Sequence, residues 1–281
     1  DASLFRDGRL TRNVASTLQK LNQIWIKRSS TSQVAMELLL LSVAYALYTL
    51  SRGQVYENQV LPAHDNALDI IELERVTGLL REGLLQDWFL NNLSSAVHVF
   101  NWFYILGYWP VVLPIAVYLY MKNREAYYVY RTVALITLGV ALVSYEFYPL
   151  APPRLVSSLG IIDTMWNYGL DEYHVTAETL LYNPYAAMPS LHFALAFVVS
   201  LYFLRGGGGP ILKLVMVCYL VLMLMSIVVT GNHYIVDALG SLGAVGVAFL
   251  VRSFSKPLFR RAKRDFGAWL QEGRRNTVRP Q

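Results

Sequence analysis

Six stretches of the chain are long and apolar enough to read as helices that cross a bilayer, at roughly Val34–Leu50, Leu93–Tyr120, Thr132–Tyr148, Met188–Leu204, Ile211–Thr230 and Tyr234–Phe254. Crossing the hydrocarbon takes about 20 mainly apolar residues as helix, because lipid offers no partner to an unpaired backbone group. The second stretch is the longest and carries Pro110 and Pro114, which predicts a tilt or kink, or an opening part that lies in the interface with Trp88, Phe89 and Trp102. Between the first and second stretches, Leu68, Ile71, Val76, Leu79 and Leu80 recur near helical spacing among Asp69, Glu72, Glu74, Arg75 and Arg81. That pattern predicts an amphipathic helix lying on the outer membrane surface. The run Arg205-Gly206-Gly207-Gly208-Gly209-Pro210 is a tight turn that can only join antiparallel neighbours, so spans four and five form a hairpin. Gly240, Gly243 and Gly246 predict close helix packing along span six. The expected fold is all-α and integral to the membrane. Residues 1–33 form a basic N-terminal segment, 34–254 a six-helix transmembrane domain with an extracytoplasmic interfacial helix, and 255–281 a basic tail.

Composition supports this reading. Of the 281 residues, 55% are hydrophobic and 15% charged, with a mean hydropathy of +0.37, against about 25% charged in an ordinary soluble domain. These values argue against a water-soluble globule and against a disordered chain, and the single Cys218 excludes a disulfide scaffold. A net charge of +5 fits either nucleic acid or an anionic membrane surface as partner, and the placement of the charges decides between them. With Lys213 counted in the loop before it, 20 of the Lys and Arg residues fall on the side of the two termini and 4 on the other. The positive-inside rule then makes both termini cytoplasmic. The tail cations Arg252, Lys256, Arg260, Arg261, Lys263 and Arg264 become an anchor on anionic lipid, with no nucleic-acid partner expected. Span one itself serves as the targeting signal, and the plasma membrane is the expected location.

Ionisable residues at the membrane edge are expensive, which makes them candidates for function. Three clusters stand out: Pro152-Pro153-Arg154 beyond span three, Pro189-Ser190-Leu191-His192 opening span four, and Gly231-Asn232-His233-Tyr234-Ile235-Val236-Asp237 between spans five and six. By the topology above, all three lie on the extracytoplasmic side. The hairpin returns His192 and His233 to one membrane depth. His233 and Asp237 are four apart at the start of a helix, so they share a face. The carboxylate can accept the proton on one imidazole nitrogen, leaving the other as a nucleophile or base. His192 supplies a second imidazole for proton transfer. Arg154 offers a permanently charged planar fork for phosphate oxygens, and Ser190 with nearby N–H groups adds uncharged donors. Together they suit phosphoryl transfer. A single helix-end histidine is more often an interfacial cap than a catalyst; the pair, with a partnered Asp and an Arg, favours function. His64, His98 and His174 have no such company and read as interfacial or packing residues, although His98 could line the same cavity if span two starts early. Glu146 is a candidate counter-charge for Arg154, and otherwise reaches to the interface.

The motifs Pro189-Ser190-Leu191-His192 and His233-x-x-x-Asp237 resemble the second and third signatures of the type-2 phosphatidate phosphatase superfamily of lipid phosphate phosphatases and phosphotransferases. The resemblance implies a six-helix bundle with its site at one membrane face. It implies His233 as the nucleophile forming a phosphohistidine, Asp237 as its orienting partner, His192 as general acid and Arg154 as a phosphate clamp, with no metal and no cofactor. Asn232 and Tyr234, beside the nucleophile, join Ser190 as further candidate phosphate-binding residues. The departures carry information. In the first motif, K-x6-R-P, Phe147 stands in the Lys position and Leu155 follows Arg154; Leu191 replaces the Gly of P-S-G-H; in S-R-x5-H, Ser226 is in register and Ile227 occupies the Arg position. With two phosphate-binding cations missing, a phosphodiester or a less charged headgroup fits better than a phosphomonoester. The motifs Ser190-Leu191-His192-Phe193-Ala194 and Asn232-His233-Tyr234-x-Val236-Asp237 look like the inositol phosphorylceramide synthase and sphingomyelin synthase branch, which transfers a headgroup phosphate to an alcohol.

The expected activity is transfer of a phosphoryl or headgroup phosphate from a phosphorylated lipid, with an alcohol such as inositol or a lipid hydroxyl preferred as acceptor. Hydrolysis to water remains the alternative, since both outcomes use the same base. A proton-coupled transporter or flippase predicts polar residues spread along the depth of several spans, whereas here they gather at one end. An intramembrane serine protease built on Ser190 is weaker, because Ser190 and His192 are two apart and face away from each other on a helix.

Overall fold

The computed structural model describes residues 31–52, 59–168 and 183–255. The chain divides into two units, residues 1–50 and 51–281. In the first, helix α1 spans Thr31–Arg52 and is apolar over its length. Nearly all of the basic segment and the tail, as well as His174, lie outside the described residues.

In the second unit the order is α2 (Val60–Thr77), α3 (Glu82–Asn92), α4 (Ser94–Leu106), α5 (Trp109–Lys122), α6 (Arg124–Phe147), α7 (Thr164–Tyr168), α8 (Leu191–Tyr202), α9 (Pro210–Val229) and α10 (Ile235–Ser255), with single 3₁₀ turns at Pro153–Leu155 and Ser157–Leu159. Among the described residues there is no strand, only one isolated bridge from Leu150 to Ala186. Four helices are long and apolar enough to cross a membrane: Thr31–Leu50, Arg124–Phe147, Pro210–Val229 and Ile235–Ser255. The expected second span is a broken one: α4 and α5 meet the criterion together, bent by 44°. The break falls at Gly107-Tyr108, and Pro110 sits in the first turn of α5, where its missing N–H removes no helical bond. The expected fourth span is a shorter apolar helix, Leu191–Gly207, which Ser190 caps from outside. The protein is thus an all-helical membrane protein with four or five apolar spans by length and composition.

The glycine turn makes the predicted hairpin. Gly206 takes φ of +125°, a conformation that L side chains rarely adopt, and α8 returns as α9 with Phe193, Ala196 and Val199 against Tyr219, Met223 and Ile227. On the other side of α8, Ala194 and Val198 pack with Val133 of α6 and with Val245 and Ala248 of α10. The close-packing expectation holds for one of the three α10 glycines. A Cβ on Gly240 meets the Met188 side chain at 3.4 Å, while Gly243 and Gly246 face open space.

The helix expected between the first and second spans is present as α2, but with a different inner face. Ala63, Ala67, Ile70, Ile71 and Glu74 are buried, whereas Leu68 and Val76 are exposed, and Gly78 ends the helix before Leu79 and Leu80. The reason is close approach. Small residues let α2 lie directly on the segment after α6, where Ala151 N–H donates to the Ala63 carbonyl at 3.0 Å and Asn66 Nδ2 to the Pro149 carbonyl at 2.8 Å. A hydrophobic stripe beside a bilayer does not by itself say which apolar face meets protein.

Candidate active site

The site forms where the segment after α6, the start of α8 and the junction of α9 with α10 meet. Gly231 makes the junction possible. Its φ is +72°, and an added Cβ would lie 3.0 Å from Ile161 Cγ2, 3.1 Å from Arg154 Cβ and 3.1 Å from the Ile162 carbonyl. The chain therefore turns tightly against Arg154, whose N–H donates to the Gly231 carbonyl at 3.0 Å, while His233 N–H donates to the Ile227 carbonyl at 3.0 Å. Two sequence-distant candidates are joined through backbone.

His233 Nδ1 lies 3.1 Å from Asp237 Oδ2, as the four-residue spacing predicted. The same oxygen accepts the Tyr234 N–H at 3.0 Å. Asp237 is fully buried and His233 is 5% exposed. With Nδ1 donating to the carboxylate, the tautomer leaves a lone pair on Nε2. His192, half-buried at the start of α8, stacks on Tyr104 at 4.4 Å between ring centroids, and the Tyr104 ring is also 6.4 Å from that of His233. Tyr108, one turn further, packs edge-on to His192 at 5.6 Å. The two histidines thus come to one aromatic ring, carried by α4 just before its break.

The turn before α8 is clamped by hydroxyls. Ser144 Oγ donates to the Met188 carbonyl and the Tyr145 hydroxyl to the Pro189 carbonyl, at 2.8 and 2.7 Å. Ser241 Oγ lies 2.8 Å from the carbonyls of both Ser190 and Asp237, tying α8 to α10. Ser190 is fully buried, and its hydroxyl oxygen accepts the Phe193 N–H at 3.5 Å as a helix cap.

Arg154 has a side chain only 4% exposed, with Nε 3.1 Å from Asp163 Oδ2 and Nη1 donating to Asn232 Oδ1. Its acidic partner is therefore Asp163; Glu146, the candidate from sequence, is exposed. Asn232 Nδ2 is occupied by Thr230 Oγ1 at 2.7 Å and Met165 Sδ at 3.3 Å, so Asn232 holds Arg154 in place. Tyr234 is fully buried, and its hydroxyl donates to the Ala151 carbonyl at 3.1 Å, on the α2 side. The two motif positions that lack the family's cations have apolar placements as well: Ile227 is in the core between α8 and α9, and Phe147 is 81% exposed at the end of α6. Among the described residues no group of three His, Cys, Asp or Glu is placed to hold a metal. His98 is exposed and packs on Tyr168, and His64 packs on Tyr185.

Sequence reasoning missed four residues around this site. Tyr104 and Tyr108 are a helical turn apart on either side of the break. Glu82 and Gln86 are a turn apart on α3, a helix that was not expected. Gln86 is fully buried; its Nε2 donates to the carbonyls of Ile162 and Val229, both at 2.9 Å, and its Oε1 accepts the Ile162 N–H at 2.8 Å. An acid and an amide four apart among leucines beside a membrane was the available signal.

No protein in the curated set and no solved structure matches the chain. The sequence pattern of the PAP2 superfamily matches residues 68–251, more than half of the chain and inclusive of Arg154, Ser190, His192, His233 and Asp237. By that match the chain belongs to the PAP2 superfamily.

Proposed function

We propose that this protein is a lipid phosphotransferase that works through a covalent phosphohistidine on His233. Superfamily membership points to a phosphatase or phosphotransferase. The observation that carries the finer reading is the buried His233–Asp237 pair with Nδ1 anchored, with His192 against the Tyr104 ring that also neighbours His233 and Arg154 bonded through its backbone to Gly231. In the first step His233 Nε2 attacks phosphorus in line. The P–N bond forms as the P–O bond to the lipid breaks, and His192 gives its proton to the departing oxygen. Arg154 stabilises charge on the equatorial oxygens, held by Asp163 and Asn232, and no metal is required. In the second step His192 takes the proton of the acceptor hydroxyl, the new P–O bond forms and the P–N bond breaks. The buried hydroxyls of Ser190, which caps α8, and of Tyr234, which donates to the Ala151 carbonyl, favour a supporting part for both over direct phosphate contact.

The acceptor is an alcohol, such as inositol or a lipid hydroxyl, and the donor a phosphodiester of the kind used by the inositol phosphorylceramide synthase branch. What favours this is the charge count. The family's Lys and second Arg positions hold Phe147 and Ile227, and Arg154 already faces Asp163. A monoanionic diester needs less compensation than a dianionic monoester. The second reading, hydrolysis to water, uses the same residues. In the bilayer, Leu191–Gly207 completes a set of six passes, both termini are cytoplasmic and the site opens at the extracytoplasmic face of the plasma membrane.

The test is incubation of purified protein with phosphatidylinositol or phosphatidic acid, with and without inositol and lipid alcohols, following free phosphate and new lipid by mass. Transfer predicts a phosphorus-containing product that forms only with acceptor, a new phospholipid from a lipid alcohol or a phosphoinositol ester from inositol; free phosphate from phosphatidic acid and inositol phosphate from phosphatidylinositol, with no acceptor-dependent product, overturn transfer, and no phosphorus-containing product overturns the enzyme. His233→Ala should abolish turnover, and His192→Ala should leave at most a trapped phosphoenzyme. Full activity in either variant removes the assigned role.

A further inference from the structure

The lobe formed by α2 and α3 inserts two carboxyl groups beneath the catalytic helix. Glu74 is fully buried and Glu82 is 1% exposed. Glu82 Oε1 accepts the Ile235 N–H and Glu74 Oε1 the Val236 N–H, each at 2.8 Å. Asp237 Oδ2 accepts the preceding one, that of Tyr234. Three consecutive N–H groups at the opening of α10, which a helix leaves without internal partners, are thus taken by three different carboxyl groups.

The arrangement ties this feature to chemistry. Asp237 Oδ2 holds the Tyr234 N–H and His233 Nδ1 together, so the orientation of the imidazole follows the position of the first turn of α10. That turn is held from outside by Glu74 and Glu82. We propose that Glu74 and Glu82 are a proton-sharing carboxyl pair that positions the His233–Asp237 pair for attack on phosphorus. The inference rests on the reading of His233 as nucleophile. Neither acid reaches the reacting atoms; both act through the backbone of α10.

One proton between the two acids follows from their surroundings. Among the described residues, Glu74 Oε2 is buried with no partner other than the Glu82 carboxyl. The ionisable groups that face Glu74 are Glu82 from α3 and, from α10, Asp237 and the Tyr234 hydroxyl. On its own helix Arg75 is exposed and paired with Glu72. Burial first, and the Glu82 carboxyl next, push Glu74 up to about 9. Two charges there would repel each other and Asp237; a single proton leaves both Oε1 atoms as acceptors.

The sign of the pH effect follows. Above its unfolded value of 4.5, Glu74 loses its proton in the unfolded chain but keeps it in the folded one up to about 9. The raised group therefore makes folding stability fall between those limits, with no further loss above them. Glu74→Gln keeps the acceptor oxygen and is neutral at every pH, so the penalty disappears.

The experiment uses the full chain in detergent and combines two measurements that need no substrate with one that does. Thermal unfolding of wild type and Glu74→Gln is followed from pH 5 to pH 10. The Tm difference, variant minus wild type, should grow by about 5 °C or more up to pH 9 and then level off. Nitrogen-15 NMR of labelled histidine then reads His233 at pH 7. Glu74→Gln and Glu82→Gln should keep the Nδ1–H resonance in place, whereas Glu74→Ala, which strips the acceptor from the Val236 N–H, should move it. With phosphatidylinositol as probe, Glu74→Ala should lose about tenfold in kcat at unchanged KM, and Glu74→Gln should restore it. A pH-independent Tm difference overturns proton sharing, even if Glu74→Ala does not fold. An unmoved His233 resonance in folded Glu74→Ala overturns positioning. Absence of turnover in wild type defeats the phosphotransfer reading alone and leaves the first two measurements to decide this one.

Discussion

Replacing Asp237 with Asn separates orientation from charge at the proposed nucleophile, His233. The Tyr234 N–H, fixed by backbone, points at Oδ2 from 3.0 Å, so the variant must place its amide oxygen there. The same oxygen then still accepts from His233 Nδ1, and the tautomer survives. What is lost is the negative charge that stabilises the imidazole as it becomes cationic on forming the P–N bond. Two unit charges about 4 Å apart interact by about 4 kcal/mol at an effective dielectric near 20, and hydrogen bonds to ions are roughly twice as strong as neutral ones. A loss of about 3–4 kcal/mol in the transition state corresponds to a kcat lower by on the order of 10²–10³-fold. KM should change little, because the charge is needed only as the bond forms. The amide nitrogen takes the place of Oδ1, which has no partner among the described residues, so Tm should also fall by a few degrees. Asp237→Ala removes anchor and charge together and should be slower still. The assay is initial rate of lipid-phosphate transfer in detergent micelles for the three proteins, with phosphoenzyme quenched in alkali, where a P–N bond survives, as the second readout. A kcat for Asp237→Asn within threefold of wild type, in a folded protein, would refute the argument that the carboxylate charge acts on His233.

Three further outcomes follow from the same contacts. Gly231→Ala places a Cβ at φ of +72° against Ile161, Arg154 and the Ile162 carbonyl at 3.0–3.1 Å. It should lose about 2–3 kcal/mol of stability, read as a Tm lower by several degrees. Gln86→Leu leaves the Ile162 N–H and the carbonyls of Ile162 and Val229 without their partner, and should cost about 3 kcal/mol in denaturant unfolding. Asp163→Asn frees the Nε side of Arg154 for a second phosphate charge, so the rate with phosphatidic acid relative to phosphatidylinositol should rise; an unchanged ratio shows that Asp163 does not set substrate charge.

Four or five of the six expected passes, the α8–α9 hairpin and the His233–Asp237 contact were legible because each depends on neighbours in sequence. About 20 apolar residues must become helix in lipid, a glycine run must turn back, and two side chains four apart on a helix share a face. The glycines of α10 and the stripe on α2 were less legible: Gly243 and Gly246 meet nothing, and α2 packs on its alanines with Leu68 and Val76 outward. Spacing tells that a face exists; the partner that covers it comes from elsewhere in the chain.

Long-range contacts settled the rest. That Arg154 answers to Asp163 and Asn232, that Tyr104 packs near both histidines, and that Glu74 and Glu82 hold the opening of α10 while Gln86 holds the end of α9 are facts about segments brought together by packing. A buried carboxyl group must find its donors wherever the fold supplies them, and for Glu74 and Glu82 these are backbone N–H groups that every sequence possesses. Such partners leave no mark in the identity of the residues that provide them. The composition of this chain points to a membrane-bound helical protein and its motifs single out the His233–Asp237 pair, but the carboxyl groups that hold the opening of α10 reach it only once α2 and α3 have docked there.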